Sequence, residues 1–178
     1  MSLKKIKAVD VFGIFILSVG FHFIYNLLPN PLFAWIFPVN ESIWEHMKLF
    51  FTSTLLWGIV DHYLLKKHDI PYNNFLLQLF LTAFLAIPLY LIIFLPVYNK
   101  IGENMFFSIS LMFIVYIISQ FASYKLLTYR ELEVNKYFII ALIVAVYAVF
   151  IYLTYKPIRN YIFYDKTKSK YGLNKVVE

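Results

Sequence analysis

Cysteine is absent from all 178 residues, which removes thiolate catalysis, CxxC redox chemistry, iron–sulfur clusters and palmitoylation together. Glycine is scarce as well. The five present are scattered, so neither a phosphate-cradling loop nor a Gly-x-Ser-x-Gly elbow can be built. Charge is the third shortage: 15% of residues are charged and 61% hydrophobic, where soluble domains run near ~25% and ~45–50%. A chain of this length cannot hide such an apolar excess in a core, so much of it must face lipid. Secreted disulfide scaffolds, disordered tails, zinc ribbons and cytosolic enzymes are thereby excluded.

The net charge of +6 does not point to nucleic acid, because the basic residues sit in short groups at the ends of apolar runs. Juxtamembrane anchors and topology signals are placed that way.

Five apolar stretches are long enough to cross a ~30 Å hydrocarbon core, at about 11–28, 43–65, 75–97, 105–124 and 137–155. The expected fold is an all-α, five-helix transmembrane bundle forming one integral membrane domain over 1–178, with a basic tail at 156–178. The first run follows Lys4, Lys5 and Lys7 but lacks a small-x-small cleavage site, so it reads as a retained helix. Pro88 and Pro96 should kink the third helix or end it early. Ser119 and Ser123 form a small-x-x-x-small pair suited to close helix approach. Between the first two helices, Leu32 to Phe37 is too short to span and is placed in the interface or as a re-entrant loop.

Before the tail, a five-helix topology sets eight Lys and Arg on the side of the N-terminus (Lys4, Lys5, Lys7, Lys66, Lys67, Lys125, Arg130, Lys136) against Lys48 and Lys100 on the other. The basic tail evens the count. Since early helices usually dominate, the N-terminus is expected in the cytoplasm and the protein in the cell membrane. Asp10, Asp61 and His62 then fall at the cytoplasmic end, as a small cluster or as simple boundary residues.

The densest chemistry runs from Pro38 to Lys48. On a helix, Glu41, Glu45, Lys48 and Thr52 share one face while Ser42, His46 and Ser53 line the next. Helix hardware explains part of it: Ser42-x-x-Glu45 is a capping box, and Asn40 as cap would instead make Val39 and Trp44 a hydrophobic staple. Capping does not explain His46 or so many ionisable groups beside hydrocarbon, which are costly there and read by default as functional. His22 and Asn26, four apart on the first helix, end on the same side of the membrane. Asp165 in the tail can fold back over them.

The block P-V-N-E-S-x-W-E-H-x-K, a histidine in the preceding helix, and the tail's Phe163-x-Asp165 and Tyr171-Gly172-Leu173 resemble a family of small bacterial integral membrane proteins of uncharacterised function. The resemblance implies that His22, the block and the tail act as a set, and it brings no activity, substrate or cofactor.

No HExxH or HxxxH is present, and the residues assign no metal; the cofactor is left open. The first expectation is a small membrane-embedded enzyme acting on a lipid or lipid-linked substrate. Glu41 or Glu45 would be its base, His46 an acid/base and Lys48 an anion anchor, while His22 and Asp165 orient or optionally bind metal; Asn26, Asn40 and Ser42 complete the polar site. Its partners would be membrane lipid and a lipid-like or small-molecule ligand, with no nucleic acid. A proton-coupled carrier or solute-binding subunit, or a structural membrane partner, remain as alternatives.

Overall fold

The computed structural model describes residues 1–175, with side chains through Leu173; the last three positions of the basic tail lie outside the described residues. Six α-helices run in chain order: α1 Leu3–Leu27, α2 Pro31–Ile36, α3 Ile43–Lys67, α4 Phe75–Ile101, α5 Met105–Thr128 and α6 Lys136–Tyr155. Four of them, α1, α4, α5 and α6, are long and apolar enough to cross a membrane. Equally long as α1, α3 carries more ionisable residues, and it is also the helix with the most buried positions. Glu45, Lys48 and Asp61 are buried, while Lys66 and Lys67 in its last turn are exposed. It packs against α1, α4 and α6.

The first helix starts eight residues before its apolar run because Lys7 is not a solvated anchor. It is buried, with its ammonium 2.8 Å from Asp10 and 2.5 Å from Asp61 of α3, while the Trp57 indole donates to Asp10 at 2.8 Å. Pairing is what lets these charges sit inside the fold. Gly13 makes room for it: a Cβ there would lie 2.0 Å from the Trp57 ring. His62 does not join this cluster and meets the Tyr72 hydroxyl at 3.2 Å.

The interfacial segment forms α2, whose start is set by Asn30 accepting from the Phe33 amide at 3.0 Å, with Pro31 in the first turn. Of the two outcomes expected of Pro88 and Pro96, a kink or an early end, the early end does not occur, and α4 runs through both to Ile101. Each proline strands one carbonyl, at Phe84 and Ile92. Ending the helix in an apolar surround would strand many more backbone groups. Ser119 and Ser123 are both buried, and the Ser123 hydroxyl donates to Gln78 of α4 at 2.6 Å.

Aromatic rings fill the centre. Phe50 and Phe51 of α3 meet Tyr90 of α4 at 4.8 Å, Tyr116 of α5 at 5.4 Å and Phe150 of α6 at 5.9 Å between ring centroids.

After α6 the chain folds back across the start of α3. Three two-residue strands, β1 Tyr164–Asp165, β2 Lys170–Tyr171 and β3 Asn174–Lys175, pair antiparallel in that order. So small a sheet has little stability of its own. It is held by outside contacts: the Trp44 amide donates to the Ile162 carbonyl at 2.9 Å, Trp44 stacks on Phe163 at 5.0 Å, and Asn40 donates to the Gly172 carbonyl at 2.9 Å. Gly172 has φ +52, and a Cβ on it would stand 2.1 Å from the Thr154 carbonyl oxygen. Only glycine fits the turn there.

Candidate functional site

The polar block splits at the first residue of α3. Ser42 caps the helix, accepting from the Glu45 amide at 3.3 Å, and the Asn40 side chain accepts from the Ser42 amide at 2.9 Å. Glu45 therefore does not complete a reciprocal capping box. It reaches past Ser42 to accept from the Val39 amide at 3.2 Å.

The remaining bonds of Glu45 go to α6 and to Lys48. The Lys48 ammonium, with no exposed surface, donates to Glu45 at 2.7 Å, to Thr154 at 2.7 Å and to the Ala34 and Phe37 carbonyls at 2.8 and 3.4 Å. Thr154 in turn donates to the second Glu45 oxygen at 2.8 Å. Every hydrogen-bonding direction of the ammonium is used, as a buried charge demands. One step along the same face, Thr52 donates to the Ile36 carbonyl at 3.0 Å. This face ties α2, α3 and α6 together.

Glu41 lies before the helix and so is not bound to that face. Its amide donates to Asp165 at 3.0 Å, and Asp165 also accepts from the Thr167 and Lys168 amides at 2.8 and 2.9 Å, which fixes a tight turn in the tail. With its backbone pinned there, Glu41 directs its carboxylate to the other side. One oxygen stands 3.5 Å from His46 Nε2 and 3.5 Å from His22 Nε2. The two imidazoles are stacked with centroids 5.1 Å apart, and one ligand atom from each of the three residues falls within 4.8 Å of the others. Hydrogen bonding to His46, reinforced by the nearby His22 and Lys168, holds the Glu41 carboxyl below its usual range.

His46 Nδ1 lies 2.8 Å from the Ser42 carbonyl oxygen. A carbonyl can only accept, so Nδ1 carries a hydrogen; Nε2–H donates to Glu41 when the ring is protonated, and in the neutral ring Nε2 presents its lone pair toward Glu41 and His22. That is the usual support of a metal-binding histidine. Two ligands ~2.1 Å from a tetrahedral zinc stand roughly 3.4 Å apart. Both carboxylate–imidazole separations have that length, and both are long for a charge-assisted hydrogen bond. A two-histidine, one-carboxylate set suits zinc or a related transition metal and leaves a position open.

The three residues rim a cavity of about 320 Å³ between α1, α3, α4 and α5, covered by the tail turn. Its depths are apolar and aromatic, with Met47, Phe50, Tyr90 and Phe94. Its mouth carries Tyr98, Glu103, Lys166 and Thr167. The Lys166 ammonium lies 4.9 Å over the Tyr98 ring, and interaction with this side chain raises the lysine above its ordinary value. Lys168 donates to Asn26 at 3.2 Å beside His22.

Of the residues singled out from sequence, His22, Glu41 and His46 converge. Asp165, Asn40 and Ser42 shape the turn that holds Glu41, and Asn26 borders the group through Lys168. Glu45 and Lys48 point away and line no part of the cavity. Thr154, Tyr98 and Glu103 were missed: each lies near or just past the end of an apolar helix, with no spacing pattern that ties it to the block.

No curated protein and no solved structure matches the chain. A family model does, over residues 1–173. That span takes in α1, the block and the tail turn together, and the chain belongs to this family of unknown function, DUF6512.

Proposed function

We propose that the protein is a small multi-pass membrane enzyme that holds one divalent transition metal on His22, Glu41 and His46 and hydrolyses an ester of a membrane lipid. The observation that carries this reading is the convergence of two imidazoles and a carboxylate at the mouth of an apolar cavity. Five helices cross the membrane in this reading. The fifth is α3, whose 25 residues match α1 in length and whose Glu45, Lys48 and Asp61 are paired inside the protein rather than facing lipid, with the exposed Lys66 and Lys67 at its end. The basic count before the tail favours a cytoplasmic N-terminus, which puts the site at the outer face of the cell membrane.

A bound metal supplies Lewis acidity and a nucleophilic water at neutral pH. The chain does the rest. Ser42 fixes the His46 tautomer, and Asp165 holds the Glu41 backbone. Tyr98 and Lys166 offer donors to an anionic group on the opposite rim. Water adds at the ester centre; Glu103 takes a proton from it and returns it to the ester oxygen, which leaves as the alcohol.

The test begins with metal. The full chain, purified in detergent at neutral pH and dialysed, should retain about one equivalent of zinc or a similar ion by mass spectrometry, and the His22→Ala and His46→Ala variants should not. Incubation with labelled membrane lipids should then release a product that a chelator abolishes. Wild-type protein without metal, and with no uptake on titration, would sink the proposal.

A further inference from the structure

A substrate must reach a site enclosed by four helices and a covering turn. At the inner end of the cavity, where Ser18 lines it, α1 and α5 are in contact, with the Ser18 and Tyr116 hydroxyls 2.6 Å apart and Phe15 edge-on to Phe113 at 5.2 Å. Val19 and Phe23 on α1 and Met105 and Ile109 on α5 all line the cavity, yet they are 42%, 52%, 75% and 42% exposed. Each pair is spaced i, i+4 and so stacks along one helix face. Residues that wall a cavity and the outer surface at once mark an opening, and this one is framed by apolar side chains.

We propose that this gap is a lateral portal and that the substrate is a single-chain lipid with a phosphate-bearing headgroup, which slides in from the bilayer between α1 and α5. The assignment rests on the metal-centre reading above and names its substrate class. Two properties of the cavity select this lipid. A volume of about 320 Å³ is at the low end of the ~300–1,000 Å³ typical of small-molecule sites, enough for one alkyl chain beside a headgroup. The tail turn sets Lys166 at the mouth and Lys168 beside His22 and Glu41. Glu41 and Glu103 offset these two ammonium groups in the free protein. A divalent ion on His22, Glu41 and His46 would leave the mouth at a net +2, which calls for a dianionic partner such as a phosphate monoester. The apolar chain then lies along Phe94, Met112 and Phe50 while its headgroup faces the ammonium groups.

The test compares lysophosphatidic acid with monoacylglycerol of the same chain, titrated into the zinc-loaded full-length protein in nanodiscs or detergent. The phosphate lipid should bind at least ~10-fold tighter, since hydrogen bonds to charged groups are worth that much each. Glycerol 3-phosphate, the headgroup alone, should bind more than ~100-fold more weakly than the lipid. Lys166→Gln with Lys168→Gln should erase the preference for phosphate and leave monoacylglycerol binding in place. Ile109→Trp, at the exposed portal and away from the metal ligands, should weaken or slow binding of both lipids without changing zinc content. Equal binding of both lipids to wild type, or wild-type lipid binding in Ile109→Trp, overturns the proposal. These results are separable from failure of the metal centre: loss of zinc uptake with intact portal-dependent binding of the phosphate lipid removes the enzyme reading and keeps the portal, whereas zinc uptake with no lipid preference does the reverse.

Discussion

Glu45 and Lys48 on one side, Glu41 and His46 on the other, come from the same eight residues and have opposite fates. The first pair is fully enclosed, with every charge matched by Thr154, by two carbonyls and by the Val39 amide. The second is part-exposed at the cavity mouth, with carboxylate–imidazole separations too long to be optimal hydrogen bonds. A saturated ion pair has no capacity left for a ligand, and an under-bonded group does. Satisfaction of hydrogen bonds, more than the presence of charge, separates scaffold from site.

The sharpest way to break this division is Lys48→Met, which strands the Glu45 carboxylate in a buried position. Removing one partner of a buried pair costs ~3–5 kcal/mol, so a large fall in Tm in detergent is expected, with loss of the intact fold a credible extreme. Adding Glu45→Leu should recover part of the loss, because the orphaned charge goes while the Ala34 and Phe37 carbonyls stay unpaired. A mild effect of Lys48→Met alone would mean that this pair is not the clamp described here.

Next in size is Gly172→Ala. The added methyl would press on the Thr154 carbonyl in a left-handed backbone conformation, a strain of ~1–3 kcal/mol. Because the tail is held mainly by its contacts with the start of α3, the cost should appear locally. Faster hydrogen exchange and proteolysis of residues 160–173, with the helices unaffected, are expected. Uniform destabilisation would contradict a separately docked tail.

On the open face the expectation is reversed. His46→Ala should change the stability of the metal-free protein by no more than ~1 kcal/mol while removing metal uptake, because its ring bonds only the Ser42 carbonyl and the Glu41 carboxylate. A drop in Tm as large as that of Lys48→Met would place His46 with the scaffold instead.

Much of this arrangement was legible beforehand. Apolar runs located the long helices to within a few residues at most ends, since lipid-facing helices advertise themselves by length and hydropathy. The start of α1 was not, because Lys7 has the sequence signature of a surface anchor and its partner Asp61 lies 54 residues away. Within the block, helical phase correctly put Glu45, Lys48 and Thr52 on one face. It failed for Glu41, because phase applies only inside a helix and Ser42 caps α3 one residue later. Thr154, which completes the Glu45–Lys48 pair, sits 106 residues from Lys48 and resembles any threonine in an apolar helix. Long-range pairing of single residues leaves no local pattern to read.

The smallest effect expected concerns acid. The Glu41 carboxyl is held below its usual range first by its hydrogen bond to His46, so its ionised form is favoured by the fold. Such a group adds stability that is complete above its unfolded-state value, roughly pH 4.3, and is lost as the pH falls through the lower folded value. Glu41→Gln removes that contribution. In chelator, the Tm gap between wild type and Glu41→Gln should be present near pH 6 and close as the pH is taken toward 3; it should be modest, because the side chain is 29% exposed and solvent screens it. In a His46→Ala background the gap should be smaller at every pH, as the main source of the shift is gone. A gap that widens on acidification would mean that Glu41 is protonated in the fold near neutrality, and a carboxyl of that kind would not serve as a metal ligand.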